Sequence, residues 1–332
     1  VKILFIGGTG NISTDCAALL HQRGHEIHVL TRGRAGVPPE YHAIVADRKD
    51  LAATRDALKG RAFDVAIDFL AYEVDDVRQD FELFNGVVRQ FIFISSATVY
   101  AKPARVLPIR EDAPLGNAAW DYAQKKLACE QWLLQARAES GFPVTLVRPS
   151  HTYSKHWIPT PVSSGSYTFA ARLEAGKPVF VPDQGETPWT VTATSDFAVG
   201  FAGLVGNERA VGEAFHITSD ESPTWNQIYA EIASVLGVAH PDIVQVPTDF
   251  ICEIAPDMSG NLKGDKSHPA IFDNSKVKRL VPDFVCRKPF HVGVRESVAW
   301  LRAHPESQNR RPELDAAIER VITAWRARGN RR

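Results

Sequence analysis

The chain has 332 residues, 44% of them apolar, enough to bury one large core or two smaller ones. Its formal charge of −1 offers no bulk attraction to nucleic acid or to a membrane surface. The four cysteines, Cys16, Cys129, Cys252 and Cys286, lie far apart without a CxxC pair, which fits a reducing compartment.

No stretch approaches the roughly 18 apolar residues of a membrane span. The first residues read as a strand rather than as a signal peptide. The expectation is a soluble cytoplasmic protein with no membrane or nucleic-acid partner. The basic ending, Arg326 to Arg332, reads as a solvated tail.

In chain order, Lys2-Ile3-Leu4-Phe5-Ile6 is a short apolar run, as expected of a parallel strand buried on both faces. It enters Gly7-Gly8-Thr9-Gly10-Asn11-Ile12, and a helical pattern follows from Ser13 to Arg23, stopped by Gly24. Further strands are predicted at Glu26 to Leu30, His42 to Ala46, Asp64 to Phe69, Phe91 to Ser95 and Val144 to Val147. Helices are predicted between them at Leu51 to Leu58, Asp75 to Phe84 and Trp120 to Ser140. The alternation is that of an α/β chain with a doubly wound parallel sheet.

The rhythm breaks after Pro149, and residues 150–190 show few periodic runs. A helix follows at Ser195 to Gly206, a strand at Glu213 to Thr218, and a helix at Pro223 to Leu236 starting from Ser222. Two amphipathic helices close the chain, near His291 to Ala303 and Pro312 to Arg328. The organisation expected is a nucleotide-binding domain over residues 1–150, completed by about 190–220. A smaller, discontinuous lobe would comprise residues 151–189 and 221–332.

A strand entering a glycine turn and then a helix aims free backbone N–H groups at an anion, and the helix dipole adds partial positive charge. Gly7 permits the tight turn, and Gly10 lets the backbone approach a pyrophosphate; Ser13 stands where a third glycine is usual. An acidic residue at the end of the second strand would bond the adenosine ribose hydroxyls. This chain has Thr31-Arg32-Gly33-Arg34 there, two guanidinium groups suited to a phosphate. NADP is therefore favoured over NAD, the plain alternative being that Arg32 and Arg34 are solvated loop charges.

Tyr122 and Lys126 are spaced to share one helix face. A free tyrosine titrates near pH 10 and is a poor base at neutrality, but a neighbouring ammonium favours the phenolate. Ser96, at the carboxyl end of the fifth strand, can orient a substrate oxygen. No other tyrosine in the chain has a lysine four residues on. His151, His156 and Trp157 cluster after the sixth strand, but no spacing suggests a metal site. Trp189 and Trp225 read as packing residues, Cys129 as core, and Asp196 as a cap or dipole partner of the next helix.

The ordered set resembles the extended short-chain dehydrogenase/reductase family, most of all its sugar-nucleotide epimerase/dehydratase branch. The matching pieces are the glycine turn, Phe91 to Tyr100, Tyr122 to Lys126, Arg148-Pro149-Ser150, Phe215 to Trp225, and Phe272 to Pro282. The resemblance implies a Rossmann-type sheet and a homodimer joined through helices, including the one bearing Tyr122. It makes Ser96, Tyr122 and Lys126 the catalytic set, with Lys126 also bonding the nicotinamide ribose. Gly7, Thr9, Gly10, Asn11, Ile12, Thr31 and Arg32 would lie on the dinucleotide. Asp47 and Arg48 would flank the adenine, Phe69 and Leu70 would lie along the cofactor, and Pro149 and Ser150 would reach its nicotinamide end. Thr98 and His151 would face the substrate.

Members such as UDP-galactose 4-epimerase carry an acidic residue where Thr31 stands. They also carry diphosphate-gripping arginines that are not recognisable at Thr187-Pro188-Trp189 or around Pro256 to Asp265. The first reading is an NAD(P)-dependent epimerase acting on a carbohydrate or nucleotide-sugar hydroxyl by transient oxidation. The rivals are an NADPH-dependent carbonyl reductase and a non-catalytic nucleotide- or RNA-binding protein on the same fold.

Overall fold

The computed structural model describes residues 1–34, 36–162 and 165–329; of the basic ending, residues 330–332 lie outside the described residues. The first half runs β1 (Lys2–Ile6), α1 (Ser13–Gln22), β2 (Glu26–Thr31), β3 (His42–Val45), α2 (Leu51–Leu58), β4 (Val65–Asp68), α3 (Val74–Phe84), β5 (Gln90–Ile94), α4 (Asp121–Ser140) and β6 (Val144–Arg148). There follow β7 (His151–Tyr153), α5 (Thr168–Glu174), β8 (Val179–Pro182), β9 (Val191–Ala193), α6 (Thr194–Leu204), β10 (Ala214–His216), α7 (Trp225–Leu236) and β11 (Ile243–Val246). The chain ends with α8 (Thr248–Ile254), α9 (Ser259–Asn261), α10 (Ser275–Leu280), α11 (Phe290–Ala303) and α12 (Pro312–Gly329).

Seven strands form one sheet in the order β10-β6-β5-β4-β1-β2-β3, all parallel. The strand order reverses between β1 and β4, where such sheets open a crevice at their carboxyl ends. β4, β5 and β6 are buried along their whole length because helices cover both faces. On one face Cys16, Ala17 and Leu20 of α1 pack with Phe197 and Phe201 of α6. On the other, Val77 and Phe84 of α3 pack with Cys129 and Leu133 of α4. Cys129 is a core residue, as its place in the α4 pattern predicts.

The stretch with little periodicity is more structured than its sequence suggests. Residues His151–Tyr153 pair with Val191–Ala193, and Val179–Pro182 pairs with Ile243–Val246, each a short parallel ribbon of two strands. Partners so far apart in sequence leave no local signature. Around them Tyr153, Tyr167, Phe169, Trp189, Trp225 and Tyr229 build a separate aromatic-rich core.

Some local expectations need correction. The cap of α7 is Thr224, whose hydroxyl accepts from Gln227 N at 3.2 Å while Gln227 Oε1 accepts from Thr224 N at 2.9 Å. Ser222 instead bonds the Thr190 hydroxyl at 2.8 Å. Asp196 does not cap α6; it lies in the first turn, where its charge suits the dipole, and accepts from Lys288 N at 2.9 Å. The basic ending is not all solvated tail, because α12 extends to Gly329 and Arg326 grips both oxygens of Asp242, at 2.8 and 2.6 Å.

Candidate active site

A cleft of about 820 Å³ opens at the carboxyl ends of the central strands. It brings together the residues named as catalytic, cofactor-binding or substrate-facing, from Gly7 in the first turn to His151 after β6, whereas Cys129, His156, Asp196 and Trp225 are not in its lining.

Gly7 has φ +87°, and its N–H donates to Leu30 O at 3.3 Å. A Cβ there would lie 2.5 Å from Leu70, and one on Gly8 would lie 3.0 Å from both methyls of Val29. Both glycines are thus closely packed, a role the sequence analysis does not give Gly8. Ser13 is more than a small substitute for a third glycine. It is buried, and its hydroxyl accepts from Gly10 N at 2.8 Å, pinning the turn to α1. No side chain caps α1; Thr14 N donates to Gly10 O at 3.2 Å, and the helix start abuts the cleft that Asn11 and Ile12 line. The buried Asn11 Oδ1 also has no hydrogen-bond partner among the described residues. A dinucleotide pyrophosphate fits this uncapped cradle.

At the end of β2, Thr31 accepts from Gly33 N at 3.3 Å, and Arg32 and Arg34 stand exposed on the cleft wall. Neither arginine has an ion-pair partner among the described residues. Asp47 and Arg48 line the same end. Arg48, however, is mostly sunk into the protein. Its guanidinium lies 2.8 Å from Asp68, 2.9 Å from Asp76 and 2.9 Å from Asp80. Burial beside Asp68 drives Asp80 well above the usual carboxylate range. This acid cluster underlies the loop of Phe69 and Leu70, since Asp68 Oδ1 accepts from Leu70 N and, at 2.9 Å, from Ala71 N. The Phe69 ring stacks on Phe5 at 5.9 Å.

Ser96 follows β5, and its hydroxyl accepts from the Thr98 amide at 3.2 Å and the Thr98 hydroxyl at 3.0 Å. Tyr122, in the first turn of α4, stands beside Ser96. Its ring lies 5.0 Å from that of Trp120 and 6.0 Å from that of Tyr72. Lys126 is one turn on and buried, with Nζ donating to Ala71 O at 2.7 Å and Ile94 O at 2.9 Å. Burial pushes this ammonium down to about 8. It also pushes Tyr122 up to about 12, with Tyr72 and Asp265 raising it further and the Ser96 hydroxyl opposing them. The sequence reading expected the lysine to lower the tyrosine. Among the chain's own groups burial wins.

Pro149, Ser150 and His151 form the wall beyond β6, and Ser150 donates to Thr190 O at 3.3 Å. Burial, then the Lys266 charge, holds His151 well below the usual histidine range, so it stands neutral. Tyr72, Trp189, Asp265 and Lys266 also line the cleft; the sequence analysis gives Trp189 a packing role and the other three none. Trp189 is a cleft residue as well as a packing one. Asp265 and Lys266 sit on the π-helical turn Leu262–Lys266, a geometry with no periodicity to find in the sequence. Away from the cleft, Glu26, His28 and His42 bring ligand atoms within 4.8 Å of one another at the start of β2 and β3. No spacing announces this set, which forms by i, i+2 and cross-strand pairing. His28 Nε2 bonds Glu26 at 2.7 Å, while His28 Nδ1 has no hydrogen-bond partner among the described residues and His42 Nε2 lies 3.8 Å from Glu26.

Residues 82–217 match the model of the NAD dependent epimerase/dehydratase family. A chloroplast stem-loop binding protein of 41 kDa from Arabidopsis thaliana is 28% identical over 75% of this chain and 67% of its own length. A 2′-dehydrokanamycin reductase from Streptomyces kanamyceticus is 26% identical over 86% of this chain and 80% of its own. Among solved structures, dTDP-glucose 4,6-dehydratase from Bacillus anthracis, in complex with NAD, superposes with a TM-score of 0.74. That likeness covers 92% of this chain and 98% of the other, and at 18% identity it speaks to the fold alone. The family match spans under half of the chain and the two relatives are only 28% and 26% identical, so each is a likeness and no more. No described helix is long and apolar enough to cross a membrane.

Proposed function

We propose that this chain is an NAD(P)-dependent enzyme of the epimerase/dehydratase type that interconverts a hydroxyl and a ketone on a carbohydrate substrate. The observation that carries the reading is the meeting of Ser96, Tyr122 and Lys126 with the uncapped glycine turn in one cleft. Gly7 to Ile12 would hold the pyrophosphate, Asp47 the adenine end, and Phe69, Leu70, Pro149 and Ser150 the length of the dinucleotide. When bound, a nicotinamide supplies the hydride acceptor and, oxidised, a positive charge that favours the Tyr122 phenolate.

Tyr122 Oη takes the proton of the substrate hydroxyl, or returns one to a ketone oxygen, as the carbon changes oxidation state. Ser96 orients that oxygen. Lys126 holds its ammonium at a fixed place beside the reacting groups, two of its three donors being taken by Ala71 and Ile94. Thr98 and His151 face the substrate, His151 as a neutral imidazole that can donate or accept. Epimerisation is the net result if the ketone is reduced on its opposite face before it leaves.

A second reading, net reduction with NADPH as a consumed cosubstrate, is favoured by one observation. The end of β2 offers two exposed guanidiniums and no carboxylate. Resemblance to a reductase over 86% of the chain supports it as well. Pairing of two chains through α4 belongs to the same proposal, supported by the exposed Leu134 on that helix.

Identifying the nucleotide released when the purified protein is denatured tests these readings. Stoichiometric, tightly held NAD or NADP is the result expected of an epimerase. A protein that arrives empty, binds NADPH reversibly and consumes it against a carbonyl panel is the reductase. Binding of neither nucleotide overturns both.

A further inference from the structure

Beyond Tyr122, at the cleft wall that Asp265 and Lys266 line and behind which Lys102 is buried, there is more positive charge than the wall's own residues balance. Lys266 Nζ donates to Asp265 Oδ2 at 2.5 Å and lies 4.0 Å from the ring centre of Trp189. Lys102 approaches the other oxygen of the same carboxylate, 3.4 Å away, and lies 5.8 Å from the same ring. The Lys102 side chain is 2% exposed, and its ammonium has no hydrogen-bond partner among the described residues. Two buried ammoniums therefore share one carboxylate. A buried charge left without a counter-charge is costly, and a tryptophan face offsets only part of that cost.

The surrounding structure holds the lysines in place. The turn bearing Asp265 and Lys266 packs on Trp120 through Gly260 and Gly264, where a Cβ would lie 2.5 and 2.7 Å from that side chain. Asn117 donates to Gly264 O at 2.6 Å and to Thr98 O at 2.9 Å, tying the turn to the Ser96 loop. The indoles of Trp189 and Trp225 both donate to Lys266 O, at 3.2 and 2.9 Å. The turn's backbone is thus satisfied without either ammonium. The Trp120 ring in turn lies against that of Tyr122, tilted by 45° at 5.0 Å, so the charged cluster adjoins the reacting end of the cleft.

We propose that Lys102 and Lys266, set against Trp189, form a subsite for an anionic group of the substrate, a carboxylate or a phosphate. The substrate is then an acidic carbohydrate; a neutral sugar leaves the excess charge unmet, and a polycationic one is repelled. His151, kept neutral, adds no further cation. The anion supplies the missing counter-charge and accepts from Lys102. The proposal rests on the reading of the cleft as a nucleotide-dependent carbohydrate site.

The test is titration of the full chain with sodium phosphate and, separately, with sodium acetate at constant ionic strength, followed by tryptophan fluorescence. Titrations with NADPH and with NADH are run on each preparation. Saturable binding of one anion is expected, phosphate marking a phosphoryl group and acetate a carboxylate. Lys102→Met and Lys266→Met should each weaken that binding tenfold or more while NADPH affinity stays at the wild-type value. That retained affinity also reports folding, and Lys102→Met alone suffices if Lys266→Met fails to fold. Saturation by neither anion, or unchanged saturation in the variants, overturns the proposal. A wild type that binds neither NADPH nor NADH is a separate result, which sinks the nucleotide reading and leaves the anion subsite standing.

Discussion

At one end of the cleft the groups offered to a ligand are backbone amides and exposed guanidiniums. At the other they are ammoniums buried against tryptophan. The first end is built on a glycine whose φ is +87° and a helix start without a side-chain cap, so its selectivity rests on main-chain geometry. The second is built by convergence of residues 102, 189 and 265–266. Water screens Arg32 and Arg34 but not Lys102 and Lys266. Equal charges at the two ends should therefore differ in their consequences. An exposed arginine tunes which nucleotide binds, whereas a buried lysine decides whether a substrate fits at all.

Tyr122 stands between the ends, and replacing it should give the largest effect. Tyr122→Phe is expected to lower turnover by roughly 10²–10⁴-fold with nucleotide affinity unchanged. Tyr72, whose ring lies 4.4 Å from Lys126 Nζ, is the control, and Tyr72→Phe should retain most of the activity. Single-turnover rates with saturating nucleotide check both. Full activity in Tyr122→Phe would remove the proton-transfer step from the mechanism and leave Tyr72 as the candidate. Because burial raises Tyr122, alcohol oxidation should quicken with pH across the neutral range, whereas ketone reduction, which needs the protonated phenol, should not.

The next effect sharpens the nucleotide end alone. A hydrogen bond to a charged group contributes about 1.5–3 kcal/mol, or roughly 10–100-fold in affinity. The Arg32→Ala/Arg34→Ala variant should lose about that much preference for NADPH over NADH, read as a ratio of dissociation constants. Anion binding at the other end should not move. A preference that survives would make the two arginines solvated loop charges after all.

How much of each end was legible follows from how each is built. The glycine turn, the i, i+4 tyrosine and lysine, and the central strands are local patterns. A φ preference, a helical face and an apolar run each declare themselves within a few residues, and the sheet order follows from the alternation. Three kinds of feature did not declare themselves. The ribbons β7–β9 and β8–β11 pair segments tens of residues apart and too short for periodicity. The π-turn carrying Asp265 and Lys266 has no characteristic spacing. Lys102, in a loop beside prolines, acquires meaning only from the ring and carboxylate it meets. Arg48 shows the opposite limit, since its motif places it at the cleft while three aspartates draw its guanidinium inward.

A buried polar network lies outside the cleft lining, and acid should loosen it. His216 Nε2 bonds the Tyr100 hydroxyl, which also accepts from Arg148 at 2.8 Å, and Arg148 forks onto Glu130 at 2.9 and 2.6 Å. Burial, with the Arg148 charge, pushes His216 down from 6.5 to about 3. The unfolded chain therefore binds the extra proton first. Stability from this group is complete above about pH 6.5 and is lost as pH falls toward 3. Between pH 6.5 and roughly 5 the loss should be about 2 kcal/mol, seen as a falling urea midpoint. His216→Gln should flatten that dependence. An unchanged slope would mean that the carboxylates, not this imidazole, set the acid limit.

The smallest effect probes whether the substrate end is held as firmly as its burial suggests. Thr224 caps α7, and the next residue, Trp225, is one of the two indoles that fix Lys266 O. Thr224→Ala removes the cap at a cost of about 1 kcal/mol in unfolding free energy. If the lysine subsite depends on the seating of that turn, anion affinity should fall severalfold, less than in Lys266→Met, while NADPH affinity holds. The aromatic core gives Trp225 a second anchor, because its ring stacks on Trp189 at 5.4 Å. An anion affinity that stays at the wild-type value while stability drops would therefore assign the holding to the stacked rings rather than to the helix cap. Either result leaves the nucleotide end untouched, since its groups come from α1 and β2 and share no contact with Thr224.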